Sequence, residues 1–161
     1  YQRQRILTLF NPESDPSGAG FHIIQSKIAI GSGGFSGSGW LNGTQAHLNF
    51  IPEQKTDFIF AVLAEEFGFI GFLFLMICYS CIILRMAYMT YKMNDVFEKL
   101  VSGSIIMMLI SYVFVNIGMV TGILPVVGVP LPLMSYGGTS LITMMIGFGL
   151  ICSFYNRRKT K

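Results

Sequence analysis

Apolar residues form long uninterrupted runs over the last two thirds of this 161-residue chain. The segment Leu100–Asn156 contains no Asp, Glu, Lys, Arg or His, and because one bilayer crossing needs about 20 mainly apolar residues, it is long enough for two crossings. Another run, Phe67–Leu84, extends back to Phe58 if two glutamates are accepted within it. The pattern predicts three spanning helices, at about residues 58–84, 100–122 and 139–156.

The residues before these runs are more polar and predict a large loop, residues 1–57. Within it, Phe21, Ile24 and Ile28 recur at helical spacing, which predicts a short helix lying on the membrane surface. Lys27 lies off that apolar stripe, where its ammonium group either extends to water or meets an anionic phosphate. The next stretch, "GSGGFSGSGWLNGT", holds six glycines in fourteen residues. It is either a flexible linker or a loop whose bare backbone approaches a ligand, and it matches neither a dinucleotide fingerprint nor a P-loop.

The connection between the second and third predicted helices, residues 122–138, contains three prolines and no charged residue. An apolar segment broken by proline cannot lie in lipid as open coil, because its unpaired backbone amides would each be costly there. We therefore expect a re-entrant or cavity-lining segment. It ends in "SYGGTS", where Thr139 or Ser140 can cap the last helix, and the positive N-terminus of that helix suits phosphate.

The composition is that of a membrane protein, since 52% of residues are hydrophobic and 12% are charged, against about 25% charged in soluble domains. The chain begins without methionine or a signal peptide, which predicts a piece of a longer protein. Basic residues are concentrated in the tail, 157–161, and in the 85–99 connection, so these are predicted to be cytoplasmic and residues 1–57 and 122–138 to be outside. The 1–57 loop balances four basic against four acidic residues, so no nucleic acid partner is expected.

Carboxylates at the start of the first spanning helix are the candidate chemistry. Asp57 follows Thr56, a plausible N-cap, so one interpretation is an acidic residue in a first helical turn, stabilising by about 0.3–1 kcal/mol. The other is a catalytic base or cation ligand at the outer membrane surface, beside Lys55. Glu65 follows at about 12 Å along a straight helix, too far for a glycosidase carboxylate pair. Glu66 points about 100° away from Glu65, and we assign both glutamates a structural or cavity-lining role.

No metal site is predicted from histidine or cysteine. His22 and His47 are far apart in the large loop, and the cysteines lie in apolar runs without a second pair to complete a zinc site. We expect Cys78, Cys81 and Cys152 to be lipid-facing or helix-packing thiols.

Three long motifs occur in order along the chain: "NPESDPSGAGFHIIQSKIAIGSGG", "GTQAHLNFIPEQKTDFIFAVLAEEFG" and "NIGMVTGILPVVGVPLPLMSYGGTS". Together they resemble the RodA/FtsW/SpoVE (SEDS) family of peptidoglycan glycosyltransferases, most closely its RodA branch, which acts in cell elongation. The resemblance runs through essentially the whole chain but covers only the C-terminal part of a family member. It implies an all-α polytopic membrane protein, with three transmembrane helices here, a large extracytoplasmic loop with short interfacial helices, and a re-entrant Pro/Gly segment.

The resemblance implies polymerisation of lipid II, a disaccharide-peptide on undecaprenyl pyrophosphate, into glycan strands at the outer face of the bacterial cytoplasmic membrane. The transfer would be inverting, and the aspartate of the "TDFIF" motif, here Asp57, is the essential catalytic residue in the family. A class B penicillin-binding protein, a transpeptidase, is the implied partner, and a divalent cation, Mg²⁺ or Mn²⁺, is left open as cofactor. Chemistry more than motif suggests the residues that would contact the leaving pyrophosphate: Lys27, Lys55, Ser135, Gly137, Gly138, Thr139 and Ser140.

One departure from the family and one alternative function bear on these expectations. Many RodA members have Lys between the glycines just before the Trp, whereas this chain has Ser38, which puts a phosphate contact from that position in doubt. Glu65 and Glu66 inside a membrane helix can instead mark a polar pathway, so a lipid-linked precursor flippase or transporter is the alternative. Without the helices that precede it in the family, this piece is expected to be inactive alone.

Overall fold

The computed structural model describes residues 19–40, 42–43 and 56–157, and within them the chain is helical with no β-strand. Three of its helices are long and apolar enough to cross a membrane, which confirms the expected all-α membrane architecture. In chain order, the helices are α1 (Ala19–Gly33), α2 (Ile59–Tyr91), α3 (Val96–Val120) and α4 (Gly138–Arg157).

The connection between α2 and α3 is shorter than the charge pattern predicts. Because α2 continues to Tyr91, only residues 92–95 connect the two helices, in place of the expected 85–99. Arg85 is helical, and its guanidinium carbon lies 5.8 Å from the centre of the Tyr88 ring. A helix can continue past the apolar run at a charged residue, because arginine favours the helix and its long side chain can carry the charge to water.

The buried core lies along the seam between α2, α3 and α4. Fully buried side chains there include Leu109 and Met119 of α3 and Ile151 of α4. α3 and α4 approach closely at Gly147, where a Cβ would lie 3.0 Å from the Ile105 side chain, as expected where a small residue lies between membrane helices. Many large apolar side chains on the other faces stay exposed, which suits a lipid environment.

Helix α2 is broken once, at Gly68, whose φ of 62° and ψ of −153° are not helical. In a continuous helix, the carbonyls of Glu65 and Glu66 would accept the amides that follow the break. The Glu65 carbonyl instead accepts the Ser38 amide at 3.0 Å and the Ser38 hydroxyl at 2.8 Å, and the Glu66 carbonyl accepts the Gly39 amide at 3.0 Å. The carbonyl side of the break is therefore paired with another part of the chain.

The glycine loop, residues 34–40, also pairs the amide side of the break. The Phe69 amide donates to the Gly34 carbonyl at 3.1 Å, and the Ile70 amide donates to the Phe35 carbonyl at 3.3 Å. Both helical pairs lost at the break are thus replaced by bonds to one loop. This replacement explains how a membrane helix can be interrupted without leaving unpaired amides in hydrocarbon.

Glycine is needed in this region because backbone approaches backbone. A Cβ on Gly33 would lie 2.9 Å from the carbonyl carbon of Ala64, and one on Gly37 would lie 2.5 Å from that of Glu66. Gly37 also has a φ of 79°, which disfavours any side chain. Of the two interpretations of the glycine-rich stretch, the described part fits a loop whose backbone makes close contact. Its contact is the backbone of α2 at the break.

Helix α3 ends in a Schellman motif at the start of the 122–138 connection. The Ile123 amide donates to the Gly118 carbonyl at 2.8 Å, and the Gly122 amide donates to the Met119 carbonyl at 3.1 Å. Gly122 has the positive φ, 72°, that this motif requires. The connection therefore leaves the helix by a defined turn.

Candidate active site around Asp57

Asp57 lies in the turn that precedes α2. The helix begins at Ile59 with Phe58 as N-cap, and the Phe58 carbonyl accepts the Ala61 amide at 2.9 Å. Phe58 is 2% exposed, so the chain enters the helix with a buried aromatic ring and no side-chain cap. The interpretations of Thr56 as N-cap and of Asp57 as a first-turn residue are therefore wrong. Asp57 is half-buried and lies just before the helix.

The backbone of Asp57 is tied to α3 and to the 122–138 connection by one side chain. The amide nitrogen of Asn116 donates to the Asp57 carbonyl at 2.9 Å and to the Val129 carbonyl at 2.6 Å. Asn116 is fully buried. Three separate parts of the chain therefore meet at this amide.

The carboxylate of Asp57 lies against Gly128 of the same connection. A Cβ on Gly128 would lie 3.2 Å from Oδ2 of Asp57, and Gly128 has a φ of 78°. A larger residue would both strain the backbone and crowd the carboxylate. Gly128 thus leaves space beside the proposed base.

The middle of the 122–138 connection is packed against protein, whereas Ile123 and Tyr136 are exposed. Leu131 and Pro132 are buried, and the hydroxyl of Tyr79 in α2 donates to the Pro132 carbonyl. Ser135 closes a turn, because its hydroxyl accepts the Leu131 amide at 2.7 Å and its own amide donates to the Leu131 carbonyl at 2.9 Å. Side-chain hydroxyls thus pair backbone groups that would be costly to leave unpaired when buried.

The end of the 122–138 connection and the start of α4 border a cavity of about 290 Å³. α4 begins at Gly138, and the Gly137 carbonyl accepts the first helical hydrogen bond, from the Leu141 amide, at 3.1 Å. The Ser140 hydroxyl donates back to the Gly137 carbonyl at 2.9 Å, so neither Thr139 nor Ser140 is the N-cap expected from sequence. The cavity is lined by Met108, Tyr112, Pro130, Pro132, Thr139, Ser140, Thr143 and Met144.

Lys27 of α1 reaches the C-terminal end of α3. A Cβ on Gly122 would lie 2.8 Å from the Lys27 ammonium nitrogen. Because the C-terminal end of a helix carries partial negative charge, this position favours the lysine cation. Lys27 is exposed, so its ammonium can also meet an anion. Lys27 and Asp57 thus contact the same connection, at Gly122 and at Gly128.

Glu65 and Glu66 lie where the chain after α1 packs on α2. Glu65 is 1% exposed, and a Cβ on Gly43 would lie 2.9 Å from its Oε2, so this carboxylate is covered by backbone. Glu66 is half-buried, and its carbonyl is bonded to the glycine loop. These positions favour a structural role for the two glutamates. Lys55 lies outside the described residues.

Asn116 and Gly128 were not predicted as site residues. Asn116 carries a sequence signal, because it is a side-chain amide within a charge-free apolar run, and such residues hydrogen-bond across membrane helices. Gly128 carries none, because the carboxylate beside it comes from a distant part of the chain. Only the packing of the connection against the turn before α2 brings the two together.

The described residues contain few side chains that could bind a metal ion together. No group of three or more His, Cys, Asp or Glu side chains there could hold a metal ion. Cys78, Cys81 and Cys152 are free and exposed. The Asp57 carboxylate is an oxygen ligand of the kind that hard divalent cations take.

Comparison with known proteins assigns the family. The FtsW/RodA/SpoVE profile, described as cell cycle protein, matches residues 1–160. The chain belongs to this family. It is 58% identical over 159 residues to the peptidoglycan glycosyltransferase MrdB of Escherichia coli strain K12, covering 99% of this chain and 43% of that relative. It is 46% identical over 158 residues to the peptidoglycan glycosyltransferase RodA of Treponema pallidum, covering 98% and 36%.

A solved structure shares the fold as well. One chain of a peptidoglycan synthase complex that coordinates polymerization and crosslinking aligns with a TM-score of 0.77 and 37% sequence identity. The alignment covers 100% of this chain and 43% of that one. The chain thus spans less than half the length of the relatives it matches.

Proposed function

We propose that the full-length protein is a peptidoglycan glycosyltransferase that polymerises lipid II during cell elongation. The observation that carries the proposal is the position of Asp57, whose half-buried carboxylate faces the 122–138 connection at Gly128. Family membership and the names of the relatives support the same reaction class.

Asp57 acts as the general base in this proposal. Its carboxylate takes the proton from the 4-hydroxyl of the acceptor sugar as that oxygen attacks the anomeric carbon of the donor sugar. The new glycosidic C–O bond forms while the bond from the anomeric carbon to the pyrophosphate oxygen breaks on the opposite face. The products are a lengthened glycan with inverted anomeric configuration, undecaprenyl pyrophosphate, and the proton held on Asp57.

The leaving pyrophosphate carries the electron pair and needs cationic or hydrogen-bond stabilisation. Lys27 supplies an exposed ammonium at one end of the 122–138 connection. At the other end, Thr139 and Ser140 border the cavity at the α4 N-terminus, next to the predicted contacts Gly137 and Gly138. The remaining predicted contacts, Ser135 and Lys55, stay predictions, and Ser135 already closes a turn.

If a divalent cation, Mg²⁺ or Mn²⁺, is the cofactor, the Asp57 carboxylate would supply one of its oxygen ligands. When bound, such a cation would neutralise charge on the leaving group. A chelator titration of the polymerisation assay, reversed by either ion, tests this assignment.

We place the protein in the bacterial cytoplasmic membrane with Asp57 at the outer face. Lys92 follows the end of α2 and Arg157 ends α4, so both lie at the helix ends away from Asp57. The 122–138 connection has no basic residue, and this distribution supports a cytoplasmic C-terminus. The partner in this proposal is a class B penicillin-binding protein, which crosslinks the strands. A structural relative that is part of a peptidoglycan synthase complex supports such a partner.

The alternative, a flippase for the lipid-linked precursor, depends on a polar pathway at Glu65 and Glu66. Its support is reduced because the Glu65 carboxylate is covered by backbone at Gly43. A flippase predicts precursor translocation in proteoliposomes that Glu65→Gln abolishes and that does not need Asp57.

The test is polymerisation of labelled lipid II by purified full-length protein carrying Asp57→Asn. The asparagine keeps the size of the side chain and cannot accept the proton, so we expect normal membrane insertion and loss of polymer. Asp95→Asn is the matched control, because Asp95 is an exposed carboxylate at the start of α3 and should leave polymerisation unchanged. Polymerisation retained by Asp57→Asn would overturn the base assignment.

A further inference from the structure

The side-chain amide of Asn116 is an unusual feature of α3. The residue is fully buried, and its Oδ1 is also buried with no hydrogen-bond partner within the residues that the structure describes. Its nitrogen donates to two backbone carbonyls, those of Asp57 and Val129. Because both partners are carbonyl oxygens, the nitrogen must be the atom that faces them.

Those two carbonyls flank the contact between the Asp57 carboxylate and Gly128. One belongs to Asp57 itself, and the other belongs to Val129, the residue after Gly128. A single amide thus holds both the residue that carries the carboxylate and the segment that this carboxylate faces. If the amide is lost, the turn before α2 and the 122–138 connection can shift relative to each other.

An asparagine suits this task better than other side chains of its size. A carboxamide provides two donors in one plane, whereas an ionised aspartate provides none, a protonated aspartate one, and leucine none. Both amide protons of Asn116 are thus used for the two carbonyls, and the Oδ1 has no partner among the described residues. The donors of this side chain, rather than its acceptor, make the contacts that fix the two segments.

We propose that Asn116 is a positioning residue for the glycosyl transfer, which aligns the Asp57 carboxylate with the 122–138 connection. This inference rests on the proposed function of Asp57. Asn116 acts through Asp57 and does not itself contact substrate. Misplacement of a reacting group by about 1 Å can lower a rate by about 10²-fold, so the effect is expected on turnover.

The experiment uses full-length protein and compares Asn116→Leu, Asn116→Asp and Ser111→Ala in lipid II polymerisation. Ser111 is the matched control, because it is an exposed polar residue of α3 whose hydroxyl bonds only its own helix, at Met107. We expect kcat to fall by about 10²-fold in Asn116→Leu, with KM near wild type and kcat expressed per folded molecule. Ser111→Ala should match wild type in both.

The pH profile of Asn116→Asp, with activity expressed per folded molecule at each pH, supplies a second readout, because ionisation of a buried acid also lowers stability. The protonated acid keeps one donor, and its ionisation at higher pH removes that donor, so activity should fall with rising pH beyond the wild-type profile. The nearby titratable groups are the Asp57 carboxylate, which lies at Gly128 while the Asp57 carbonyl bonds Asn116, and Lys27 of α1, which lies at Gly122. The 122–138 connection carries no charged residue, and α4 carries none before Arg157.

The two proposals fail separately. If Asp57→Asn abolishes polymerisation while Asn116→Leu keeps the wild-type kcat, the positioning role is refuted and the base remains. If Asn116→Leu does not fold, the profile of Asn116→Asp decides, and a profile identical to wild type refutes the role. If Asp57→Asn retains activity, the proposed function of Asp57 fails and the positioning role fails with it.

Discussion

Gly37 is the residue at which the glycine loop crowds the broken helix. Its φ is 79°, and a Cβ there would lie 2.5 Å from the carbonyl carbon of Glu66. Because the obstacle is backbone, no rotamer change can relieve it, and Gly37→Ala must push the loop away from α2. Gly34 is a matched control, since its φ is 53° but a Cβ there would have nothing within 4 Å.

The two substitutions share one energetic cost and differ in a second. Holding an alanine at positive φ costs about 1–2 kcal/mol in either variant. Displacing the loop in Gly37→Ala also breaks the four backbone hydrogen bonds that join the loop to the break, at about 0.5–1.5 kcal/mol each. We therefore expect Gly37→Ala to lose about 2–6 kcal/mol more unfolding free energy than Gly34→Ala.

The measurement is denaturant unfolding of the full-length protein in detergent, with hydrogen exchange at the Phe69 and Ile70 amides as a local readout. Exchange at these amides should accelerate in Gly37→Ala and stay closer to wild type in Gly34→Ala. Gly31→Ala, where a Cβ in α1 would meet open space, should be neutral or stabilise by up to about 1 kcal/mol. Equal losses in Gly34→Ala and Gly37→Ala would refute the inference that the loop closes the break.

Two further predictions concern the 122–138 connection. Tyr79→Phe removes the hydroxyl that donates to the Pro132 carbonyl and leaves that buried carbonyl without this partner. We therefore expect a loss of about 1–3 kcal/mol in unfolding free energy. Tyr91→Phe is its control because that side chain is 83% exposed, and equal effects would contradict the buried packing of the connection. Lys27→Met should raise KM for lipid II, and Lys27→Arg should preserve it, because a pyrophosphate requires the positive charge. A wild-type KM in both variants would refute the contact between Lys27 and the pyrophosphate and leave only its interaction with the end of α3.

Features that depend on the apolar runs and on local backbone rules could be predicted. The lengths of those runs predict the number and type of the spanning helices, since a crossing requires about 20 apolar residues. The proline-broken, charge-free composition of the 122–138 connection predicts that it packs on protein, and this holds at buried Leu131 but not at exposed Ile123 and Tyr136. The apolar run predicts the end of α2 too early, because arginine favours the helix and Arg85 continues it beyond the apolar residues to Tyr91.

The caps were harder to predict than the helices. Thr56, Thr139 and Ser140 have the right side chains for N-caps, but the structure begins α2 after buried Phe58 and α4 after Gly137. Burial of an aromatic ring and a tight glycine turn decided those positions. Local preference for a polar cap is small beside such packing, so short motifs do not determine it.

The sequence by itself determined which helices are long and apolar enough to cross a membrane and which family the chain resembles, because each depends on composition or on motifs of neighbouring residues. Tertiary structure alone decided what the glycine loop contacts, which carbonyls Asn116 holds, and what faces Asp57. Each of those outcomes is a hydrogen bond or contact between segments distant along the chain. Each bond requires a donor and an acceptor within a few tenths of an ångström of the right separation. The pattern of apolar and polar residues along the chain does not specify that separation.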